Sequence, residues 1–172
     1  EEALARSTKS ITSSLSKLVE KQKIADSAKT AALASITTTT DMKALSQADF
    51  IIEAATENLG LKQTILKEME AIAVPSCIIA TNTSSVSVTK LAATLAKPDR
   101  FIGMHFFNPV PVMNLVEIIR AVQTSETTFA ETDALARRVG KTPIGVKNAP
   151  GFVVNRILCP MINEAIFVLQ EG

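Results

Sequence analysis

The 172-residue chain has no surplus of either charge: 18 Lys and Arg stand against 17 Asp and Glu, for a formal net charge of +1. A general nucleic-acid binder or a polybasic membrane anchor concentrates basic residues, so both are set aside and a small molecule becomes the default partner. Cysteine is scarce. Cys77 and Cys159 lie far apart inside apolar runs without CxxC spacing, which argues against a disulfide framework and a metal site and for two buried thiols in a reducing compartment. No apolar stretch reaches the roughly 18 residues of a membrane span, and the opening EEALARSTKS is polar where a secretory leader carries its apolar run. Cytoplasm or an organelle matrix is the compartment expected. Neither GxGxxG nor GxxxxGK[ST] occurs, so no phosphate-cradling turn of either kind lies in this stretch.

What is present is 47% hydrophobic residues in a periodic arrangement, enough for one domain with a core or one domain and part of another. Leu4, Ile11, Leu15, Leu18 and Val19 recur at helical spacing and predict a long amphipathic helix over 3–23, with a shorter one over 25–33. The β-branched residues of 35–40 suggest a short strand. ADFIIEAA over 48–55 reads as a buried parallel strand, followed by a helix over 61–73 with Leu61, Ile65, Leu66 and Met69 on one stripe. Further strands are expected at 76–80, 101–105, 115–119 and 142–146, and helices at 89–95 and 127–139, the latter stopped by Gly140. This alternation implies an α/β class with a doubly wound sheet. Pro150 and Gly151 break the chain before a long apolar helical pattern over 152–171, so a domain boundary is placed near Asn148.

His105 is the single histidine and stands at the end of a predicted strand, where open α/β sheets bind ligands. A lone histidine is more often packed or superficial than catalytic. Glu117, however, follows twelve residues later inside the apolar strand LVEIIR, where an unpaired carboxylate is expensive to bury. If the NPVPV linker reverses the chain, the carboxylate meets the imidazole, orients it and stabilises the cation formed on proton uptake. Pairing of Glu117 with Arg120 or Arg100 at a sheet edge is the plainer alternative. ATNTSS over 80–85 suits a ligand-facing loop or a helix cap, EAATEN over 53–58 suits a close ligand approach or a cap at Asn58, and Asn155 suits a helix-start amide.

Four stretches together, IIEAATEN from Ile51, ATNTSSVSVT from Ala80, RFIGMHFFNPVPVMNLVEIIR from Arg100 and GKTPIGVKNAPGFVVNRIL from Gly140, resemble the 3-hydroxyacyl-CoA dehydrogenase family across almost the whole chain. The NPVP form resembles its short dedicated members more than the large hydratase-dehydrogenase fusions. The resemblance implies a partial Rossmann-like NAD-binding domain over 1–148 and the start of an all-helical C-terminal domain over 149–172. It implies NAD as cofactor, an acyl-CoA substrate, and a homodimer formed through the C-terminal domain. Matched residue by residue, it makes His105 the general base, Glu117 its orienting acid, and Ser84 and Asn155 contacts of the substrate oxygen. Glu57, Lys62, Ser84 and Asn108 match positions lining the NAD site, and Ser14 and Lys21, with Ser84, match positions toward the CoA substrate.

Two rivals remain: a non-catalytic relative of the lambda-crystallin kind, against which all four catalytic-type residues argue, and a dehydrogenase of a different 3-hydroxy acid or CoA ester. The chain starts at Glu1 without methionine and ends directly after a helical pattern, so it is expected to be a piece of a longer protein. Without the GxGxxG backbone donors, this stretch made alone is predicted to bind NADH poorly. Titration with NADH checks this, and saturation at low micromolar concentration overturns it.

Overall fold

A computed structural model describes residues 1–172. Two compact units divide the chain, Glu1–Ala44 and Leu45–Gly172. The first contains α1 (Glu2–Glu20) and α2 (Asp26–Ala34), neither with a fully buried residue. The strand expected over 35–40 does not form; the segment is exposed turn and coil. β-branched residues favour extended backbone, but a strand exists only where a neighbour takes up its N–H and C=O groups. None of the five paired strands lies in this unit.

The second unit is built on a sheet of β1 (Phe50–Glu53), β2 (Ile78–Thr81), β3 (Phe101–Phe106), β4 (Leu115–Arg120) and β5 (Thr142–Lys147), in that spatial order. β1, β2 and β3 run parallel, β4 returns antiparallel to β3, and β5 is parallel to β4. Helices α3 (Leu59–Ile72) and α4 (Val88–Ala92) follow β1 and β2, and α5 (Glu126–Arg138) links β4 to β5. Asn58, Ser87 and Ser125 each accept a backbone N–H three residues on, which fixes where these helices start. Gly140 at φ +77° ends α5 in the left-handed conformation that a side chain disfavours.

Strand alternation sorts the core into two layers. Ile51, Ile79, Phe101 and Ile119 pack with Leu66 of α3 and Val88, Leu91 and Ala92 of α4. Ile78, Ala80, Ile102, Met104, Val116 and Ile118 pack on the opposite face with Ala136 of α5. A sheet covered on both faces needs apolar residues at successive positions, which is why FIGM and LVEII read as nearly continuous runs.

The compact units part between Ala44 and Leu45, and the boundary expected near Asn148 falls between the end of β5 and the final helix. Asn148 ties the end of β5 to α4, accepting the Val88 N–H at 3.0 Å and donating to the Ser87 and Thr89 hydroxyls. Phe152 is buried in the first core layer. α6 (Val154–Glu171) then leaves the core with no buried residue, and Ile157, Met161, Ile166 and Leu169 stand exposed along it. Cys159 lies on this helix and is exposed, contrary to the expected burial, because no element of this chain covers it. Cys77 is buried at the start of the sheet. No helix is long and apolar enough to cross a membrane.

Gly103 of β3 lies directly against Val88 of α4. A Cβ there would stand 2.9 Å from Ile119 Cβ and 2.9 Å from Val88 Cγ2. Gly103→Ala is predicted to lower the unfolding free energy by about 1–3 kcal/mol, the cost of overpacking a filled core. Urea denaturation checks this, and an unchanged midpoint would mean that α4 yields freely.

Candidate active site

The antiparallel pairing of β3 and β4 puts His105 directly opposite Glu117. Paired residues project to the same face, so the imidazole and carboxylate meet: His105 Nδ1 lies 2.8 Å from Glu117 Oε2, both side chains almost fully buried. Arg120 instead pairs with Glu126, and Arg100 approaches Glu131 at 3.5 Å, which removes the alternative partners of Glu117. With a carboxylate accepting at Nδ1, that nitrogen carries the hydrogen, and Nε2, which has no partner in the protein, is left to exchange a proton with a ligand.

The second oxygen of Glu117 does different work. Oε1 accepts the backbone N–H of Val153 at 2.9 Å and of Val154 at 3.0 Å, capping α6 from another element. The chain reaches this position through Gly151 at φ +72° and Phe152 at φ +50°. A left-handed phenylalanine is strained. Here it places the Phe152 ring edge-on to His105 at 5.6 Å while Phe107 covers the imidazole at 4.6 Å. Two aromatic rings and one carboxylate therefore restrict the imidazole.

The loops after β1 and β2 stand at the same end of the sheet. Glu57 accepts the Thr83 hydroxyl at 2.7 Å, the Ser85 hydroxyl at 3.3 Å and the Ser84 N–H at 3.2 Å. The Ser84 hydroxyl makes no hydrogen bond within the protein, so the loop presents it free. Asn82 Oδ1 accepts the N–H of Phe106, locking this loop to the end of the strand that carries His105. Asn108 is exposed just past that strand, before a cis Pro109, in a loop held by the Lys141 ammonium on the carbonyls of Val110 and Met113. Asn155 stands in the first turn of α6, its carboxamide unengaged, and does not bond nearby backbone as a helix-start amide would.

Lys62 departs from its expected place. It is fully buried, whereas Leu61, expected on the apolar stripe of α3, is 52% exposed. The ammonium meets Glu53 Oε2 at 2.5 Å and Thr81 Oγ1 at 3.3 Å, and so lies beneath the loops with no surface open to a ligand. Ser14 is exposed on α1 and Lys21 forms its C-cap. Both belong to the other compact unit. Sequence reasoning marked the stretches 53–58 and 80–85 but gave no role to Glu53, Thr81, Asn82 or Thr83 themselves. A further signal was the carboxylate in the apolar run FIIEAA, which obeys the same rule that singled out Glu117.

Burial alone would raise the Glu53 carboxyl, but hydrogen bonds from Lys62, Thr81 and the Ala55 N–H, with the Lys62 charge, outweigh it and hold the group below its ordinary value of 4.5. A carboxyl depressed by folding contributes stability that is complete above its unfolded value and is lost as pH falls through the folded one. Wild type is therefore predicted to lose more stability than Glu53→Gln on acidification from neutral pH to well below 4.5. Urea midpoints across that range check it, and parallel curves for the two proteins would refute it.

Known proteins match both sequence and fold. Residues 1–149 match the family described as 3-hydroxyacyl-CoA dehydrogenase, NAD binding domain. A 3-hydroxybutyryl-CoA dehydrogenase of Clostridioides difficile is 44% identical over 158 residues, covering 92% of this chain and 56% of that protein. One of Bradyrhizobium diazoefficiens is 43% identical over 162 residues, covering 94% and 55%. The crystal structure of an (S)-3-hydroxybutyryl-CoA dehydrogenase from Ralstonia eutropha superimposes with a TM-score of 0.97 at 56% identity, covering 100% of this chain and 61% of that one. The chain spans between 55% and 61% of the length of these relatives. With its sheet in the Rossmann-like arrangement of those enzymes, the chain belongs to the 3-hydroxyacyl-CoA dehydrogenase family and carries that family's NAD-binding domain.

Proposed function

We propose that the whole protein oxidises a (3S)-3-hydroxyacyl-CoA to the 3-oxoacyl-CoA, and runs the reverse reaction, with His105 as general base. The observation that carries this reading is the buried His105–Glu117 contact at 2.8 Å with the distal imidazole nitrogen unpartnered. Glu117 also caps α6, but nothing in the packing of an apolar strand pair needs a buried imidazole held against it. Their arrangement is that of a base held by an acid.

The residues present suit the nicotinamide end of NAD. The free Ser84 hydroxyl and the exposed Asn108 carboxamide stand on loops at the carboxyl ends of β2 and β3, where open α/β sheets take ligands. Glu57 would hold the Ser84 loop in place. Bound there, NAD supplies the hydride acceptor. His105 Nε2 takes the proton of the substrate hydroxyl, and in reduction returns it to the carbonyl oxygen. Glu117 keeps the ring turned toward that oxygen and offsets the positive charge gained on protonation. The Ser84 hydroxyl and the Asn155 amide donate to the same oxygen, and Phe107 and Phe152 exclude water from the face of the imidazole.

Ser14 and Lys21, seven residues apart and exposed, are proposed to meet the CoA portion. Pairing of two copies through the C-terminal helical part is proposed on the uncovered apolar residues of α6. Light scattering of the whole protein tests that pairing, and a monomer refutes it.

For the activity, the whole protein is given acetoacetyl-CoA and NADH oxidation is followed for wild type and His105→Ala. Turnover by wild type with a loss of about a hundredfold or more in the variant is expected for removal of a general base. If wild type consumes no NADH, the reading fails. Turnover of a free 3-oxo acid as fast as of its CoA ester would refute the CoA assignment alone.

A further inference from the structure

Glu53 and Lys62 form an ion pair whose side chains are 0% and 1% exposed. Taking two charges out of water costs more than their attraction commonly returns, so apolar side chains would fill this space at no loss of stability. The pair lies on the sheet face that carries His105, since Glu53 pairs with Thr81 and Thr81 with Gly103, two residues before the histidine. Its bonds all lead to the site loops. Glu53 Oε1 accepts the Ala55 N–H at 2.8 Å, within the turn leading to Glu57. Glu53 Oε2 accepts the Lys62 ammonium at 2.5 Å and the Thr81 hydroxyl at 2.7 Å, joining α3 to the last residue of β2. The Glu53 backbone carbonyl accepts the Asn82 N–H at 2.7 Å, and Asn82 Oδ1 accepts the Phe106 N–H at 2.8 Å. The Glu53 carboxylate thus fastens the roots of both loops, while the backbone bond to Asn82 ties the second loop to the strand position next to His105.

We propose that Glu53 is a positioning residue: acting through Lys62, Thr81 and the Ala55 N–H, its carboxylate sets the loop that presents Ser84 in fixed relation to His105. This rests on the dehydrogenase reading for its catalytic consequence but not for its geometry. The carboxylate accepts three hydrogen bonds at once. A carboxamide keeps the shape but loses the charge and one accepting oxygen, so the ammonium is left underpaired.

The test uses the whole protein as wild type, as Glu53→Gln, and as the double variant Glu53→Leu/Lys62→Met, which removes both charges together. Well below the melting temperature, Glu53→Gln is expected to raise the KM for NADH about tenfold, the size of one lost charge-assisted hydrogen bond. Amide hydrogen exchange over 55–58 and 82–86 should quicken while β4 stays protected. The double variant, with no unpaired charge, should fold well and still show the raised KM. A lowered melting temperature with unchanged kcat and KM, or full recovery in the double variant, would reduce Glu53 to a structural residue and overturn the proposal. If wild type consumes no NADH, the dehydrogenase reading falls, and unchanged exchange at Ser84 in Glu53→Gln then overturns the positioning role on its own.

Discussion

The Glu117 carboxylate is the group on which the site depends, because it satisfies elements that have no other common support. One oxygen holds the His105 ring and the other takes two N–H groups at the start of α6. A carboxylate buried in an apolar strand is tolerated only when its lone pairs are engaged, and here the three donors come from two distant parts of the chain. The same contacts fix the imidazole and the direction in which the chain leaves the sheet. A register slip of one residue between β3 and β4 would turn the two groups to opposite faces and undo both.

Around that carboxylate the fold separates strength from chemistry along each strand. The middle of the sheet is apolar on both sides, with Phe101, Ile102, Ile118 and Ile119 fully buried, and it supplies the packing. The carboxyl ends of β1, β2 and β3 carry Glu53, Thr81 and His105, and the loops beyond them carry Glu57, Asn82, Thr83 and Ser84. Polar side chains here bond chiefly to one another and to backbone, and Ser84, Asn108, Asn155 and the distal nitrogen of His105 are left unengaged. Strain collects at the same end. Phe152 is held in the left-handed region by a buried ring on one side and the bonds from Val153 and Val154 on the other.

Much of this was legible in the sequence. The single histidine, the carboxylate within LVEIIR and the turn-forming NPVPV between them made the pairing one of two open readings, beside a partner for Glu117 in Arg120 or Arg100, and the antiparallel strands decided it by bringing positions 105 and 117 face to face. The helices expected over 61–73 and 127–139 and the strands expected over 101–105 and 115–119 form within two residues of those bounds, from periodicity, apolar runs and the stop at Gly140. The strand expected over 35–40 failed because propensity cannot supply a ladder partner, and the burial of Lys62 was hidden because a helical stripe is read from apolar residues.

The sequence by itself determined which groups were available and how they were spaced: the face that each strand residue takes, the cap at Asn58, and the candidate pair His105 and Glu117. These follow from local geometry with a period of 2 or 3.6 residues. Only the tertiary structure decided that Glu117 also caps α6, that Lys62 turns inward to Glu53, and that Asn82 joins its loop to the strand of His105. Those contacts join residues between 9 and 36 positions apart. No local pattern encodes them. They form because each buried polar group must find a partner among whatever the packed sheet brings within reach.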